Sequence, residues 1–382
     1  MQKVKRIVIL GSTGTIGVNT LKVVERFPDR FKIVGLTAYN NFKLLEKQIA
    51  QFSPSYVAVG LKNIDYLKKT SPSRIKILSV EEDLNEIVTR PDVDLVVIGM
   101  KGSGALKPFL SAVRAGKTVA PANKEALVVA GHIIIEEAKK HGATIIPIDS
   151  EQSAIFQCLD GRKREELKKV FLTASGGVLL KVPQSKFDRL SVSQILKHPR
   201  WKMGKKITVD SATLMNKGFE IIEAKWLFQL DPQDIEVVVH PEAIIHSMVE
   251  FRDGSIIAQL GVPDMRLPIQ YALTYPERWD GGLKEMNFFK IKELHFEKPN
   301  LEKFPSLALA MEAAQKGGTL PSVLNAADEE AVEAFLSGKI NFSSIYEIVE
   351  KVFKKHRNIL NPDLEDIFAT DAWARDEALK LI

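Results

Sequence analysis

The stretch Val4-Lys-Arg-Ile-Val-Ile-Leu10, followed directly by Gly11-Ser-Thr-Gly14-Thr-Ile-Gly17, decides how the first part of the chain folds. The first segment is mainly apolar and predicts a buried strand, and apolar residues recur at helical spacing from Ile16 to Phe27. Glycines at a strand-to-helix turn allow a pyrophosphate to approach the helix N-terminus closely. The spacing G-x-x-G-x-x-G therefore predicts a dinucleotide site, with a plain strand-to-helix turn as the alternative.

Strands and helices alternate after this turn, which is typical of a parallel sheet covered by helices. We predict strands over 31–38, 56–59, 75–80, 93–98, 118–120 and 143–148, and helices over 44–52, 105–115 and 124–140. The alternation predicts an N-terminal, doubly wound Rossmann-type sheet, and together with the glycine turn it predicts a dinucleotide-binding domain over residues 1–149.

The pattern changes after this region. We predict strands over 167–174, 235–240, 244–251 and 255–260 and a helix over 212–228. Strands in such close succession predict an antiparallel sheet, and we expect a central α+β catalytic domain over 150–274. A proline-rich, irregular stretch predicts a connecting arm over 275–304. Helical periodicity over 305–315, 325–336, 342–355 and 364–381 predicts a C-terminal helical bundle over 305–382.

Composition excludes several classes of protein. A chain of 382 residues is too long for one compact core, and a net charge of +5 with scattered basic residues argues against a nucleic-acid partner. Cys158 is the single cysteine, so we expect no intrachain disulfide and a reducing compartment. No apolar stretch is long enough to cross a membrane, so we expect no membrane partner. We also expect no signal peptide, because the first strand is predicted to begin at about Val4. We therefore expect a cytoplasmic protein.

Two carboxylates follow the apolar run Ala143–Ile148, in the sequence Asp149-Ser150-Glu151. Ligands of open α/β sheets bind at the C-terminal ends of the strands. If the strand stays extended, residues 149 and 151 project to the same side and repel unless a positive group lies between them. A divalent metal ion is the simplest such group, and a solvated acidic turn is the alternative.

A polar cluster between Asp210 and Glu220 offers hydrogen-bond donors around a predicted helix start. Ser211, Asn216 and Lys217 supply a hydroxyl, an amide and an ammonium group, which together suit a phosphate. A simple N-cap at Asp210 or Ser211 explains part of the cluster equally well. Asn216 and Lys217 are less well explained by a cap.

The end of the second predicted strand bears on the choice of dinucleotide. NAD enzymes usually carry an acid there that binds the ribose, whereas this chain has Ala38-Tyr39-Asn40-Asn41. Because an acid would repel the 2′-phosphate of NADP, its absence from this position favours NADPH.

The chain resembles the 1-deoxy-D-xylulose 5-phosphate reductoisomerase family over essentially its whole length. The polar motifs that carry this resemblance occur in the same order as in the family. They are 11–17, Ala122-Asn123-Lys124-Glu125, Asp149-Ser150-Glu151, Ser175-Gly-Gly177, His198–Gly204, Asp210–Glu220 and Pro263-Asp-Met-Arg266-Leu-Pro268.

The resemblance implies an NADPH- and metal-dependent rearrangement of 1-deoxy-D-xylulose 5-phosphate, a phosphorylated sugar, and reduction of the resulting aldehyde. It implies that Asp149, Glu151 and Glu220 bind Mg²⁺ or Mn²⁺, with Co²⁺ as a further candidate, and that Lys124 acts beside them in catalysis. The implied substrate contacts are Lys124, Ser150, Glu151, Ser175, His198, Trp201, Ser211, Asn216, Lys217 and Glu220. The implied cofactor contacts are Gly11, Ser12, Thr13, Gly14, Thr15, Ile16, Gly17, Asn40, Asn41, Asn123, Glu125 and Gly204.

The resemblance also implies a homodimer and a mobile flap over about residues 180–204. The segment is polar and irregular, and Trp201 and Met203 are poor choices for a permanently exposed loop. A fixed loop anchored by Trp201 is the alternative for the flap. For the whole chain, the alternatives are another NADP-dependent oxidoreductase of a phosphorylated substrate and a catalytically silent NADP-binding regulator.

Overall fold

The structure is a computed structural model, and it describes residues 4–201 and 203–382. These residues form two compact units. The first comprises the chain up to Ala126, with Ile133–Ser153 and Asp264–Leu283. The second comprises Leu127–His132, Ala154–Pro263 and Lys284–Ile382. The four predicted domains, 1–149, 150–274, 275–304 and 305–382, remain predictions.

The first unit contains a parallel sheet of seven strands in the order β4-β3-β2-β1-β5-β6-β7. The chain starts in the middle of the sheet and winds outward in both directions, so the direction of winding reverses between β1 and β5. This confirms the predicted doubly wound fold. The strands are β1 Lys5–Leu10, β2 Phe31–Ala38, β3 Tyr56–Val59, β4 Lys76–Ser79, β5 Leu95–Ile98, β6 Thr118–Pro121 and β7 Thr144–Ile145.

Helices connect these strands, and their apolar faces are buried. The short helices α3 and α4 were not predicted because they offer too few turns for a clear period. The helices of this part of the chain are α1 Thr15–Arg26, α2 Phe42–Phe52, α3 Ile64–Thr70, α4 Leu84–Thr89, α5 Leu106–Arg114, α6 Glu125–His141 and α7 Ser150–Leu159.

The predicted strand 143–148 is correct in position but wrong in form. The regular strand β7 ends at Ile145, and Pro147 interrupts the ladder because it has no N–H to donate. Ile146 and Ile148 still donate to Val119 and Pro121 of β6, both at 2.9 Å. The chain then turns into α7 at Ser150, so residues 149–151 are not extended and the predicted alternation of their side chains is wrong.

The second unit contains a four-stranded sheet in the order β11-β10-β8-β9. Its strands are β8 Leu167–Ala174, β9 Ile235–Val239, β10 Ile245–Phe251 and β11 Ile256–Leu260. The prediction of an antiparallel sheet is only partly correct. β10 is antiparallel to both neighbours, whereas β9 pairs with β8 in parallel because helices connect the two strands.

Apart from the irregular segment between α11 and α12, the remaining elements are helices, and they contribute much of the core of the second unit. The helix α11 belongs to the first unit. The helices are α8 Val192–Ile195, α9 Lys205–Thr213, α10 Met215–Phe228, α11 Arg266–Thr274, α12 Pro305–Lys316, α13 Leu320–Leu336, α14 Phe342–Lys355 and α15 Leu364–Leu379. Short 3-10 helices occur at Leu61–Asn63, Ser103–Ala105, Arg164–Glu166, Gln184–Arg189 and Pro232–Asp234. Among the described residues, no helix combines the length and apolarity needed to cross a bilayer.

The segment predicted as a flap is not uniformly a loop. Phe187 and Ile195 lie in the core of the second unit, and the ring of Phe187 packs against Phe304 and Phe342. The expectation that this segment is too polar to contribute to a core is therefore wrong for its first half. The mobility of residues 180–204 remains a prediction. Because Phe187 and Ile195 are buried, we expect the movement to be greatest after Leu196.

Candidate active site

The glycine turn between β1 and α1 has no room for larger residues at Gly11 and Gly17. Gly11 has a φ of +82°, and a Cβ on Gly17 would lie 2.3 Å from the Cα of Ser12. Gly14 precedes α1 without a side-chain cap, and the first turn of α1 contains no acid. The N-terminal amides of α1 and its dipole are therefore suited to an anion such as a pyrophosphate.

Other residues of this turn hold it in place. Ser12 is fully buried, and its hydroxyl donates to Gln48 Oε1 at 2.7 Å. Thr13 and Ile16 are partly exposed, and Gly14 and Thr15 are exposed. The turn therefore presents residues 13–16 to the surface, while Ser12 faces the interior.

The C-terminal end of β2 carries no carboxylate. Tyr39 and Asn40 are exposed, and Asn41 caps α2 by accepting a hydrogen bond from Leu44 N at 3.3 Å. Residues 38–41 thus offer amide and phenol groups to a ligand at the strand end.

Asn123 and Lys124 follow β6 and lie just before α6. The Nδ2 group of Asn123 donates to Met100 O and Gly102 O, and its Oδ1 accepts from Ala126 N. These bonds fix the loop after β5 to the start of α6, where Glu125 is the first residue. Lys124 is 4% exposed, and its Nζ donates to Asp149 Oδ2 at 3.1 Å.

The acidic motif lies at the start of α7. The carbonyl of Asp149 accepts from Ser153 N at 2.8 Å, so Asp149 immediately precedes the first helical turn. The hydroxyl of Ser150 donates to Glu151 Oε2 at 2.5 Å. In the first unit, the structure thus brings together the predicted residues Lys124, Asp149, Ser150 and Glu151.

In the second unit, the predicted helix 212–228 is two helices. Leu214 separates α9 from α10 and has a φ of +60°, an uncommon conformation for a residue with a branched side chain. Ser211 is consequently in the last turn of α9 and cannot cap the following helix, so the predicted N-cap there is wrong. Asn216 and Lys217 are in the first turn of α10, where backbone amides favour an anion.

Glu220 is held by both of these residues. Asn216 Nδ2 donates to Glu220 Oε1 at 2.6 Å, and Lys217 Nζ donates to Glu220 Oε2. Lys217 and Glu220 are 4% and 1% exposed, so this is a buried ion pair. Glu220 is therefore not an ordinary surface glutamate.

Ser175 and His198 form a second polar contact in this unit. His198 Nδ1 accepts from Trp201 N at 2.9 Å, so Nε2 carries the proton and donates to Ser175 Oγ at 3.1 Å. Burial lowers the pKa of His198 to about 4, which keeps the imidazole neutral at pH 7. The Ser175 hydroxyl hydrogen then remains available for another acceptor.

The strand end that carries Ser175 lies against α9. Gly177 has a φ of +63°, and a Cβ on it would lie 2.5 Å from the carbonyl oxygen of Ser211. The structure therefore places Ser175 and Ser211 on neighbouring segments.

Trp201 is half-buried, with its ring centroid 6.1 Å from that of His246. Arg200 Nε donates to Pro241 O at 2.9 Å, so the loop between β9 and β10 contacts the predicted flap. Gly204 immediately precedes α9. His246 and Pro241 were not predicted as neighbours of Trp201, since no sequence signal links β10 to residues so distant in the chain.

A doubly wound sheet with this glycine turn, and with the lysine-paired Asp149 beyond its last strand, is typical of a dinucleotide-dependent oxidoreductase. Family models agree along the chain. A model described as 1-deoxy-D-xylulose 5-phosphate reductoisomerase matches residues 7–131, and models of the C-terminal domains of that enzyme match residues 145–228 and 260–377.

Curated relatives and solved structures agree with these models. The 1-deoxy-D-xylulose 5-phosphate reductoisomerase of Pelotomaculum thermopropionicum is 49% identical, covering 99% of this chain and 98% of the relative. That of Thermoanaerobacter pseudethanolicus is 50% identical, covering 98% and 99%. A structure of DOX-P reductoisomerase in complex with NADPH, fosmidomycin and magnesium is 39% identical, with a TM-score of 0.93 and coverage of 99% and 98%. The Zymomonas mobilis enzyme in complex with NADPH is 39% identical, with a TM-score of 0.93 and coverage of 99% of both chains.

The chain therefore belongs to the 1-deoxy-D-xylulose 5-phosphate reductoisomerase family. It is an NADPH-dependent oxidoreductase. This membership favours the reductoisomerase over both alternatives, a different oxidoreductase and a silent regulator.

Proposed function

We propose that Asp149, Glu151 and Glu220 bind the divalent cation of this reductoisomerase. The enzyme rearranges and reduces 1-deoxy-D-xylulose 5-phosphate to 2-C-methyl-D-erythritol 4-phosphate with NADPH, in the non-mevalonate route to isoprenoids. Within the described residues, these three acids are a group that could hold a metal ion. Carboxylate ligands without histidine or cysteine suit Mg²⁺ or Mn²⁺ and disfavour zinc.

The observation that carries this proposal is that ammonium or amide groups already hold two of the three proposed ligands, Asp149 and Glu220. Lys124 donates to Asp149, and Lys217 and Asn216 donate to the two oxygens of Glu220. Each donor lies against a carboxylate that is largely shielded from water. A metal cation would be favoured at the same positions as these donors. If the carboxylates bind a cation, the two ammonium groups become available to oxygens of the substrate.

Lys124 and Ser150 are proposed to orient the oxygens at the reacting carbons. Lys124 is buried, so its charge acts at short range and with little competition from water. The bound cation would stabilise negative charge on the substrate oxygens, and NADPH would supply the hydride that converts the aldehyde to an alcohol. An ammonium group beside the carbonyl oxygen would favour the charge that develops there during reduction.

Ser175, His198, Ser211, Asn216 and Lys217 are proposed to bind the substrate phosphate. The first turn of α10 contributes the two strongest donors, the amide of Asn216 and the ammonium group of Lys217. The neutral His198 donates to Ser175, which leaves the hydroxyl of Ser175 as a donor to the phosphate. Trp201 is proposed to cover the bound substrate.

The proposed NADPH contacts follow from the glycine turn and the neighbouring strand ends. Residues 11–17 would bind the pyrophosphate, and Asn40 and Asn41 would lie near the 2′-phosphate. Asn123 and Glu125, after β6, and Gly204, before α9, are proposed to contact the remainder of the cofactor.

A homodimer is proposed through the edge of the second sheet. β11 is the last strand in its order, and Ile256 and Ile257 are 55% and 37% exposed. Phe288 and Phe289, in the irregular segment after α11, are also exposed. Exposed apolar edges favour association, and a second copy of this chain offers the same edge. In light scattering, Ile256→Lys is expected to be a monomer. The control is Tyr66→Lys, at an exposed position of the first unit, which is expected to remain a dimer. A dimeric Ile256→Lys variant would contradict the proposal that the dimer forms through β11.

The main test is NADPH oxidation on adding 1-deoxy-D-xylulose 5-phosphate, with and without Mg²⁺. Glu220→Gln is expected to lose nearly all turnover and to bind NADPH normally in calorimetry. Glu223→Gln is the matched control, because Glu223 lies one turn further along α10 and is equally buried. The metal assignment would be refuted if both variants lost activity equally while remaining folded.

A further inference from the structure

Lys206 forms a buried bridge between two helices of the second unit. It lies in the first turn of α9, and its Nζ is 2.6 Å from Asp210 Oδ2 and 2.7 Å from Asp328 Oδ2. The side chains of Asp210 and Asp328 are 4% and 1% exposed. Asp328 is in the middle of α13, so Lys206 ties the start of α9 to the C-terminal helices.

Stability alone is a weak reason for this arrangement. Removing charged groups from water carries a large desolvation penalty, and well-packed apolar residues are often as stabilising as a buried ion pair. Ion pairs are more directional than apolar contacts, however, and fix the distance and angle between the elements that carry them. The bridge is therefore better suited to setting a geometry than to adding stability.

The bridge lies close to the corner at Leu214, where α9 ends and α10 begins. Thr213 Oγ1 donates to Asp210 O at 3.1 Å and accepts from Met215 N at 3.2 Å across the break at Leu214. The Nζ of Lys206 also lies 5.0 Å from the ring centroid of Phe219 in α10. Lys206 thus contacts groups on α9, α10 and α13, and its anchor Asp210 takes part in the corner itself.

Proposed phosphate ligands lie on both sides of this corner. Ser211 is in α9, one residue after Asp210, whereas Asn216 and Lys217 are in the first turn of α10. Gly177 packs directly on the carbonyl of Ser211, so a movement of α9 would also change the distance to Ser175. Small changes in the angle of the corner would separate donors that must reach one phosphate together.

We propose that Lys206, through Asp210 and Asp328, is a positioning residue for the substrate phosphate. It holds the α9–α10 corner at the angle that lets Ser211, Asn216 and Lys217 bind the same group. This role rests on the proposed phosphate site. Lys206 itself need not touch the substrate, because it acts on the helices that carry the ligands.

The test compares Lys206→Met, Lys206→Arg and Asp328→Asn by steady-state kinetics. Lys206→Met is expected to raise KM for 1-deoxy-D-xylulose 5-phosphate by about tenfold or more, with a much smaller change in kcat, because substrate alignment depends on the corner. Lys206→Arg keeps the charge and is expected to recover most of the affinity. The dissociation constant of NADPH is expected to stay unchanged in all three.

Arg375→Met is the matched control. Arg375 in α15 bridges Glu329 and Glu330 of α13 in the same way, but it lies in no element that carries a proposed ligand. This variant is expected to lower Tm without raising KM. A KM that changes equally in Lys206→Met and Arg375→Met would assign Lys206 a general structural role and overturn the proposal.

Two further results distinguish a failure of the positioning role of Lys206 from a failure of the proposed phosphate site on which that role rests. If Lys217→Ala leaves KM unchanged, the phosphate assignment fails, whatever Lys206→Met does. If Lys217→Ala raises KM and Lys206→Met does not, only the positioning role is overturned. If Lys206→Met does not fold, Asp328→Asn decides, and a KM equal to that of the wild type overturns the proposal.

Discussion

Replacing Lys217 by methionine tests the most heavily buried part of the proposed site. Methionine keeps most of the apolar stem and removes the ammonium group that holds Glu220 Oε2. The pair is 4% and 1% exposed, so the remaining carboxylate cannot be solvated by water in compensation. The variant therefore reports on both the fold and the site.

The expected loss of stability follows from this burial. Removing one partner of a buried ion pair typically costs about 3–5 kcal/mol. Asn216 still donates to Glu220 Oε1 at 2.6 Å, so we expect a loss near the lower end of that range. Loss of a charge-assisted bond to the substrate phosphate is expected to cost about 1.5–3 kcal/mol, roughly one to two decades in KM.

The assay is thermal unfolding of wild type and Lys217→Met, with and without Mg²⁺. Without the ion, the variant is expected to have the lower Tm. If Glu220 binds the metal, Mg²⁺ compensates its charge and raises the Tm of the variant by more than that of the wild type. An Mg²⁺ effect that is equal in both proteins would refute the assignment of Glu220 to the metal site.

A double-mutant cycle separates the pair from its surroundings. Glu220→Gln combined with Lys217→Met removes both charges, so the double variant is expected to be more stable than the two single losses predict. The departure from additivity should be about 1 kcal/mol or more for groups in direct contact. Additive losses would mean that the two charges do not stabilise each other.

The remaining predictions concern the cofactor, the flap and pH. Gly17→Ala should abolish NADPH binding because the new Cβ would lie 2.3 Å from Ser12 Cα, whereas Gly14→Ala, with its nearest contact at 3.4 Å, should be tolerated much better; equal affinities in calorimetry would contradict this. NADPH should exceed NADH in kcat/KM, because residues 38–41 contain no acid, and equal values would argue against a 2′-phosphate site. Residues 197–201 and 203–204 should exchange amide hydrogens faster without a substrate-like phosphonate than with it. High protection both with and without the phosphonate would mean a fixed loop. Trp201→Ala should lower kcat/KM without unfolding the protein. In NMR, His198 should titrate near pH 4, below its ordinary pKa of 6.5. Because the unfolded chain then binds the proton more readily, the contact of His198 with Ser175 should lose stability as pH falls from 6.5 towards 4. A titration near 6.5 would show that the imidazole is not buried.

Much of the first unit could be predicted because its signals are local. β2 and β3 have the predicted limits, since apolar runs bounded by turn residues define buried strands. The glycine turn also lies where the sequence predicts it. Its local pattern of strand, glycines and helix is sufficient, because the backbone leaves no space for a side chain at Gly11 or Gly17.

The break between α9 and α10 could not be predicted in the same way. Ser211-Ala-Thr-Leu-Met215 contains no glycine or proline, and Leu214 adopts a left-handed conformation that its residue type disfavours. The surrounding contacts impose it: Thr213 bridges Asp210 and Met215, and Lys206 fixes Asp210 to Asp328. The last of these joins residues 122 positions apart, which no local pattern reveals.

The roles of the individual acids are also difficult to predict from the sequence, because their partners are not evident from the neighbouring residues. Considered alone, Asp149-Ser150-Glu151 is better explained as a solvated acidic turn than as a metal site, and Glu220 as a surface glutamate. The structure shows each with a buried lysine as partner, Lys124 for Asp149 and Lys217 for Glu220. A buried carboxylate must be neutralised by a cation or by protonation, and a lysine supplies that charge while the site contains no metal. If the acids bind a metal ion and the lysines bind the substrate, as we propose, the charge of each lysine is compensated both with and without these ligands.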